Sequence, residues 1–241
     1  YTYCMVSDGD LEEGISAEAA SLAGTLKLGR LIVLYDSNGI SIEGPTGVTF
    51  TEDVAARFRA YGWHVEGPID GLSVDAVDTA LRASRGESSR PSLIVCRTVI
   101  GYGSPNKAGS AAAHGEALGE EETRLTKRQL GWQYEEPFTV PSCARDSLQR
   151  AVKQGQEQES AWRATVAAYA TAYPAEAAQL EQDLAGQLPQ GWEHLLENVK
   201  LDGEPAATRV TGGKALNALA AGIPSFTGGS GWHTPASSGP F

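Results

Sequence analysis

Ser7-Asp8-Gly9-Asp10-Leu11-Glu12-Glu13-Gly14 and Asp36-Ser37-Asn38-Gly39-Ile40 decide how this chain is read. Each follows a short apolar run, Tyr3-Cys4-Met5-Val6 before the first and Leu31-Ile32-Val33-Leu34 before the second. Between them lies a helix-like segment, Ile15 to Leu28, with Ala19, Ala20, Leu22, Ala23 and Leu26 on one stripe. Strand, acidic turn, helix, strand, acidic turn is a βαβ crossover, which places both turns at the C-terminal edge of a parallel sheet. Ligands bind at that edge in open α/β sheets. Asp8 and Asn38 offer hard oxygen donors there, and the Ile40 carbonyl a third. Such a set suits Mg²⁺, with water or ligand oxygens completing the octahedron. Gly9 lets the backbone approach the anion that the metal holds.

Further along, the pattern repeats. Glu52 opens a helix that ends at Gly62, with Thr49 and Glu52 at capping-box spacing. Trp63 to Val65 reads as a short strand, and Ser73 caps a helix carrying Val74, Val77 and Leu81. Ser92 to Arg97 is the next strand. These alternations predict an α/β fold with a doubly wound parallel sheet. Gly101 to Gly115 is then a long ordered loop at the same edge, and His114 is its one histidine. His64, in the short strand, reads as a packed or surface ring. From Glu120 the chain turns helical and polar, with helices expected over Glu121–Leu130, Asp146–Ala172, Pro174–Leu188, Pro189–Lys200 and Lys214–Ala221. Lys153 to Glu159 is polar enough to fray or bend.

The 241 residues carry a formal charge of −11 and are 41% hydrophobic, enough for a sizeable core. No basic face exists, so nucleic acid and anionic membrane are disfavoured as partners, whereas a metal-bound anion is not. Cys4, Cys96 and Cys143 form no CxxC pattern; Cys4 and Cys96 lie in apolar runs and are expected to be buried thiols. A soluble protein of the reducing cytoplasm is the expectation. The chain opens inside a strand, and a parallel strand needs neighbours on both sides. We therefore expect a substantial N-terminal part of a parent protein to precede Tyr1.

Asp-Gly followed some thirty residues later by Asn resembles the thiamine diphosphate motif. Glu13-Gly14-Ile15-Ser16, Ser21 to Gly29, Asn38 to Gly44, Ala60 to Val65 and Ile100 to Gly109 narrow the resemblance to transketolase. It runs from Tyr1 to about Ser230; a deoxyxylulose-phosphate synthase fits the Ala60–Val65 and Gly101–Gly109 wording less well. The resemblance implies the thiamine diphosphate-binding fold, a homodimer, sugar phosphate substrates and reversible transfer of a two-carbon ketol unit. It implies thiamine diphosphate and Mg²⁺ (or Ca²⁺) as cofactors, with Asp8, Asn38 and Ile40 on the metal and Gly9 and Asn38 on the diphosphate. Ile42 would pack on the cofactor rings, Glu13 matches an interface glutamate, and His114 would be catalytic, touching diphosphate and donor substrate. Arg209 falls where an arginine takes the sugar phosphate, as a planar fork suits phosphate oxygens.

The same resemblance divides the chain into residues 1–135 as the C-terminal part of a diphosphate domain, 136–204 as a helical linker, and 205–230 as the start of a pyrimidine domain. After Ser230 it stops. Gly231, Trp232, His233 and Ala236 stand where the family has another wording, and 231–241 is expected to be disordered. The glutamate that activates the aminopyrimidine is not in this sequence. A non-catalytic fragment that at most binds Mg²⁺ and thiamine diphosphate is therefore the alternative reading.

Overall fold

The computed structural model describes residues 1–197, 199–200, 203, 206–226 and 228; the expectations for residues 229–241, including Trp232 and Ala236, lie outside them. Two compact units are present, Tyr1–Thr139 and Val140–Phe241.

The first unit is built on a parallel sheet. Strands β1 (Thr2–Ser7), β2 (Leu31–Ser37), β5 (His64–Asp70) and β6 (Ser92–Arg97) lie in the order β1-β2-β6-β5. A two-residue ribbon, β3 (Ile40–Ser41) with β4 (Gly44–Pro45), follows β2. Helices α1 (Asp8–Glu12) and α2 (Gly14–Thr25) join β1 to β2, α3 (Val54–Ala60) precedes β5, and α4 (Val74–Gly86) joins β5 to β6. Parallel pairing requires such crossovers, and the near-continuous apolar runs of β2 and β6 reflect cover on both faces. Ile32, Leu93 and Ile94 are fully buried.

One side of the sheet packs Val33, Tyr35, Leu93 and Val95 against Leu11, Ala20, Ala23, Phe58 and Trp63. The other packs Ile32, Ile94 and Cys96 against Ala80. Trp63 donates its indole N–H to the Ala20 carbonyl at 2.8 Å and meets Phe58 edge-on, with centroids 5.0 Å apart. The indole thus locks α2 and α3 onto one face of the sheet with its polar handle satisfied.

Several sequence expectations shift here. The stretch after Ser7 is helical rather than a turn, because Ser7 and Asp10 form a capping box. Helix α2 starts at Gly14, with Glu13 as its N-cap residue. Helix α3 starts later than expected, with Asp53 rather than Thr49 as its cap. Strand β5 runs on to Asp70 through a bulge at Gly67–Pro68. Cys96 is buried but Cys4 is exposed. An apolar run implies burial only if the strand is covered, and β1 is a sheet edge whose Met5 is 76% exposed. His64 packs against Ser92 and pairs with Glu66, a structural setting.

Helix α5 (Glu120–Gln129) closes the first unit. The second holds α6 (Ser142–Ala172), α7 (Pro174–Leu184), α8 (His194–Glu197) and α9 (Thr208–Gly222). Lys153 to Glu159 neither frays nor breaks α6: strong helix formers hold it, with Glu159 and Arg163 paired one turn apart. Helices α7 and α8 end earlier than the residue pattern suggested, and α9 begins earlier. No described helix is long and apolar enough to cross a membrane.

Candidate functional site

Register fixes the site. Ser7 pairs with Asp36 and Asp36 with Cys96, so β1, β2 and β6 end level with one another. The segments that leave them, at Asp8, Asn38 and Thr98, therefore emerge together. Asp8 is 3% exposed and its carboxylate is held from two directions. The Tyr35 hydroxyl donates to one oxygen and the Gly39 N–H donates to the other at 2.8 Å. Burial, reinforced by the Asp8 carboxylate, pushes the Tyr35 phenol well above its usual range, so the phenol remains a proton donor.

Asn38 is set by its own turn. Its side-chain oxygen accepts the Ile40 N–H at 2.9 Å, and its amide reaches Asp36 at 3.4 Å. Asp36 in turn accepts the Thr98 hydroxyl. Gly39 takes φ +70°, a conformation glycine adopts without strain, and its carbonyl accepts the Thr46 N–H.

Above these groups lies a cavity of about 660 Å³ lined by Gly9, Asp10, Glu13, Asp36, Asn38, Ile40, Ile42, Thr98, Gly101 and His114, among others. Asp8 is not itself in the lining, but its chain neighbours Ser7 and Gly9 are. Gly9, Glu13, Asn38, Ile40, Ile42 and His114 are thus brought to one cavity, contributed by three strand ends. Arg209 is in the first turn of α9, in the second unit.

The cavity's electrostatics are unusual for an anion site. Asp10, Glu13 and Asp36 line it, and no lysine or arginine does so among the described residues. Asp10 turns back on its own helix, accepting the Ser7 N–H and hydroxyl, each at 2.8 Å. Those bonds hold its carboxyl below the usual range. No three His, Cys, Asp or Glu side chains converge as a metal site among the described residues. A cation here would depend on the Asn38 and Ile40 oxygens as well as Asp8. That all-oxygen donor set suits Mg²⁺ or Ca²⁺ and not a thiophilic metal. A Cβ built on Gly9 would meet nothing nearer than the Ser7 hydroxyl at 3.9 Å, so the wall is open at that point.

Sequence reasoning missed Tyr35 and Thr98, bonded to Asp8 and Asp36, and Glu122, bonded to the loop that leads to His114. Tyr35 was not singled out, although a tyrosine next to an apolar buried run must find a partner. Thr98 and Glu122 carried no motif, and their contacts cross 62 and 16–18 residues of sequence.

Comparison with known proteins shows the family and the fold. Residues 1–189 match the family model described as transketolase, thiamine diphosphate binding domain. The chain is 47% identical to a transketolase of Geobacillus stearothermophilus over 231 residues, 95% of this chain and 34% of that protein. It is 46% identical to transketolase 1 of Escherichia coli, covering 35% of it. Transketolase from Leishmania mexicana superposes with a TM-score of 0.85 at 35% identity, over 94% of this chain and 33% of that one. A Pichia stipitis transketolase in complex with sedoheptulose-7-phosphate gives 0.83 at 37% identity, over 93% and 33%. The chain spans about a third of the length of these relatives. By its thiamine diphosphate binding domain and its fold, it belongs to the transketolase family.

Proposed function

We propose that this chain is the metal- and diphosphate-holding part of an enzyme that reversibly transfers a two-carbon ketol unit from a ketose phosphate to an aldose phosphate. The observation that carries this reading is a cavity walled by carboxylates, with no lysine or arginine in its lining among the described residues, next to a buried Asp8 bonded to Gly39 of the Asn38–Ile40 turn. A free diphosphate would be repelled there, whereas a diphosphate carrying a divalent cation meets Asp8, Asn38 and the Ile40 carbonyl. Gly9 leaves room for the phosphate oxygens, and Ile42 offers an apolar surface to the cofactor rings.

Thiamine diphosphate, when bound, supplies an acidic ring carbon that serves as the nucleophile toward a ketose carbonyl. The work of this chain's own residues is anchoring and orientation. Asp8 and Asn38 arrive with fixed side chains, so little ordering remains when the cation binds. His114, in the cavity wall, donates to diphosphate and donor-sugar oxygens. Arg209 offers a fork to the sugar phosphate.

In this reading residues 1–135 form the diphosphate domain, 136–204 a helical linker and 205–230 the start of the pyrimidine domain. A second copy would complete the site: Ile15, Leu22 and Leu26 leave an apolar face of α2 exposed beside Glu13. A second reading is a fragment that binds Mg²⁺–thiamine diphosphate without turnover. A ketol-transfer assay on the purified chain with saturating Mg²⁺ and cofactor, alongside the Escherichia coli relative, separates the two. We expect binding with turnover far below that of the relative; equal turnover would overturn the second reading, and absence of binding would overturn both.

A further inference from the structure

Helix α5 begins with three consecutive glutamates, and only one of them turns inward. Glu121 pairs with Arg124 on the surface, whereas Glu122 is 9% exposed and faces the Gly101–Gly109 loop. Its carboxylate accepts the Ser104 hydroxyl and the Asn106 N–H on one oxygen, the latter at 2.9 Å. The other oxygen accepts the Asn106 side-chain amide at 2.8 Å. Three donors on one carboxylate are what a buried charge requires, and their bonds are of the stronger, charge-assisted kind.

The bonding continues from there to His114. The Ser104 hydroxyl accepts the Lys107 N–H at 3.0 Å, and the Lys107 carbonyl accepts the Ser110 hydroxyl at 2.7 Å. Ser110 then accepts the Ala113 N–H at 3.1 Å, closing the short 3₁₀ turn Ala111–Ala113 on which His114 sits. Two glycines of the loop are closely packed as well. A Cβ on Gly103 would lie 2.6 Å from Leu130, and one on Gly101 would lie 2.7 Å from the Ala113 Cβ. The stretch from Gly101 to His114, with little regular structure, is thus bonded to α5 through Ser104 and Asn106 and ends in the cavity wall at His114.

We propose that Glu122 is a positioning residue for the candidate site: through Ser104, Asn106 and Lys107 it holds the 101–114 loop in the conformation that keeps His114 in the cavity wall. The proposal rests on the cofactor reading of the cavity only for what His114 touches, not for how the loop is held. The same hydrogen bonds, from Asn106 first and then Ser104, keep the Glu122 carboxyl below its usual range, so the anion persists at neutral pH.

The test uses the whole 241-residue chain and compares Glu122→Ala, Glu122→Gln and Asn106→Ala. Amide hydrogen exchange across residues 101–114 is measured first, then calorimetric titration with thiamine diphosphate in excess Mg²⁺. Glu122→Ala should speed exchange at Asn106, Lys107, Ala113 and His114 by about tenfold or more, with β2 and β6 unchanged, and should weaken the titration several-fold. Glu122→Gln keeps one acceptor oxygen and should recover part of both effects. Should Glu122→Ala unfold α5, Asn106→Ala, which leaves the helix sequence intact, must show the same pattern more weakly. Unchanged loop exchange would overturn the proposal. So would a loosened loop with unaltered affinity, since Glu122 would then only fasten α5. If the unmutated chain does not bind Mg²⁺–thiamine diphosphate, the cofactor reading fails, and exchange at His114 alone decides whether Glu122 holds the loop.

Discussion

The backbone N–H of Gly39 donates to the Asp8 carboxylate at 2.8 Å, joining two strand-end segments that are 31 residues apart in sequence. One carboxylate oxygen is thereby fixed by backbone and the other by the Tyr35 hydroxyl. Removing that hydroxyl leaves the fold almost untouched, because the ring still fills the same space. Tyr35→Phe should therefore retain cooperative unfolding yet weaken Mg²⁺-dependent cofactor binding by roughly tenfold, as expected when a partner orienting a metal ligand is lost. Unchanged affinity in calorimetry would show that Gly39 alone orients Asp8.

Trp63 tests the core rather than the site. It is buried, edge-on to Phe58 and bonded to the Ala20 carbonyl. Trp63→Ala should cost about 3–5 kcal/mol in urea unfolding, as large-to-small core substitutions do. Trp63→Phe should cost less, since only the indole N–H bond and part of the volume are lost. Equal losses in the two variants would mean that the hydrogen bond, not the packing, dominates.

Gly24 shows how closely α2 approaches its neighbour: a Cβ there would fall 1.9 Å from the Tyr61 carbonyl oxygen. Alanine is the better helix former, so propensity alone predicts stabilisation by up to about 1 kcal/mol. Overpacking against backbone opposes this and wins, and Gly24→Ala should destabilise by about 1–3 kcal/mol. A raised melting temperature would refute the close approach.

The response to pH follows from Glu122. Its carboxyl is held below the ordinary value of 4.5, by Asn106 and then Ser104. A depressed folded-state pKa gives stability that is complete above the unfolded value and is lost as pH falls through the folded one. Loop order should hold down to about the usual carboxylate range and decline only below it. Exchange of the 101–114 amides, corrected for intrinsic rate, should rise over that acidic window. A rise between pH 8 and 6 instead would point to a histidine, not Glu122.

Much of the parallel sheet was legible because its central strands, β2 and β6, are covered on both faces. The runs Leu31–Leu34 and Ser92–Cys96 have little polar character, and the segments following them carry the site. What misled was local competition. The Ser7–Asp10 capping box turned an apparent acidic loop into α1, and the edge position of β1 exposed Cys4 despite its apolar neighbours. Tyr35, Thr98 and Glu122 were hidden because a hydrogen bond between distant residues leaves no periodic trace. Asp8, Asn38 and Ile40 stood out since their oxygens follow strands at a spacing that a crossover imposes.

In the function we propose, Asp8 and the Asn38–Ile40 turn hold a divalent cation that carries the diphosphate into a carboxylate-walled cavity. Calorimetric titration of the chain with thiamine diphosphate, run in Mg²⁺ and again in chelator, tests it directly, with Asp8→Asn and Asn38→Leu as controls. We predict heat of binding in Mg²⁺, none in chelator, and a loss of at least about tenfold in affinity in each variant. Binding that is as strong in chelator as in Mg²⁺, or that survives both substitutions unchanged, would contradict the claim.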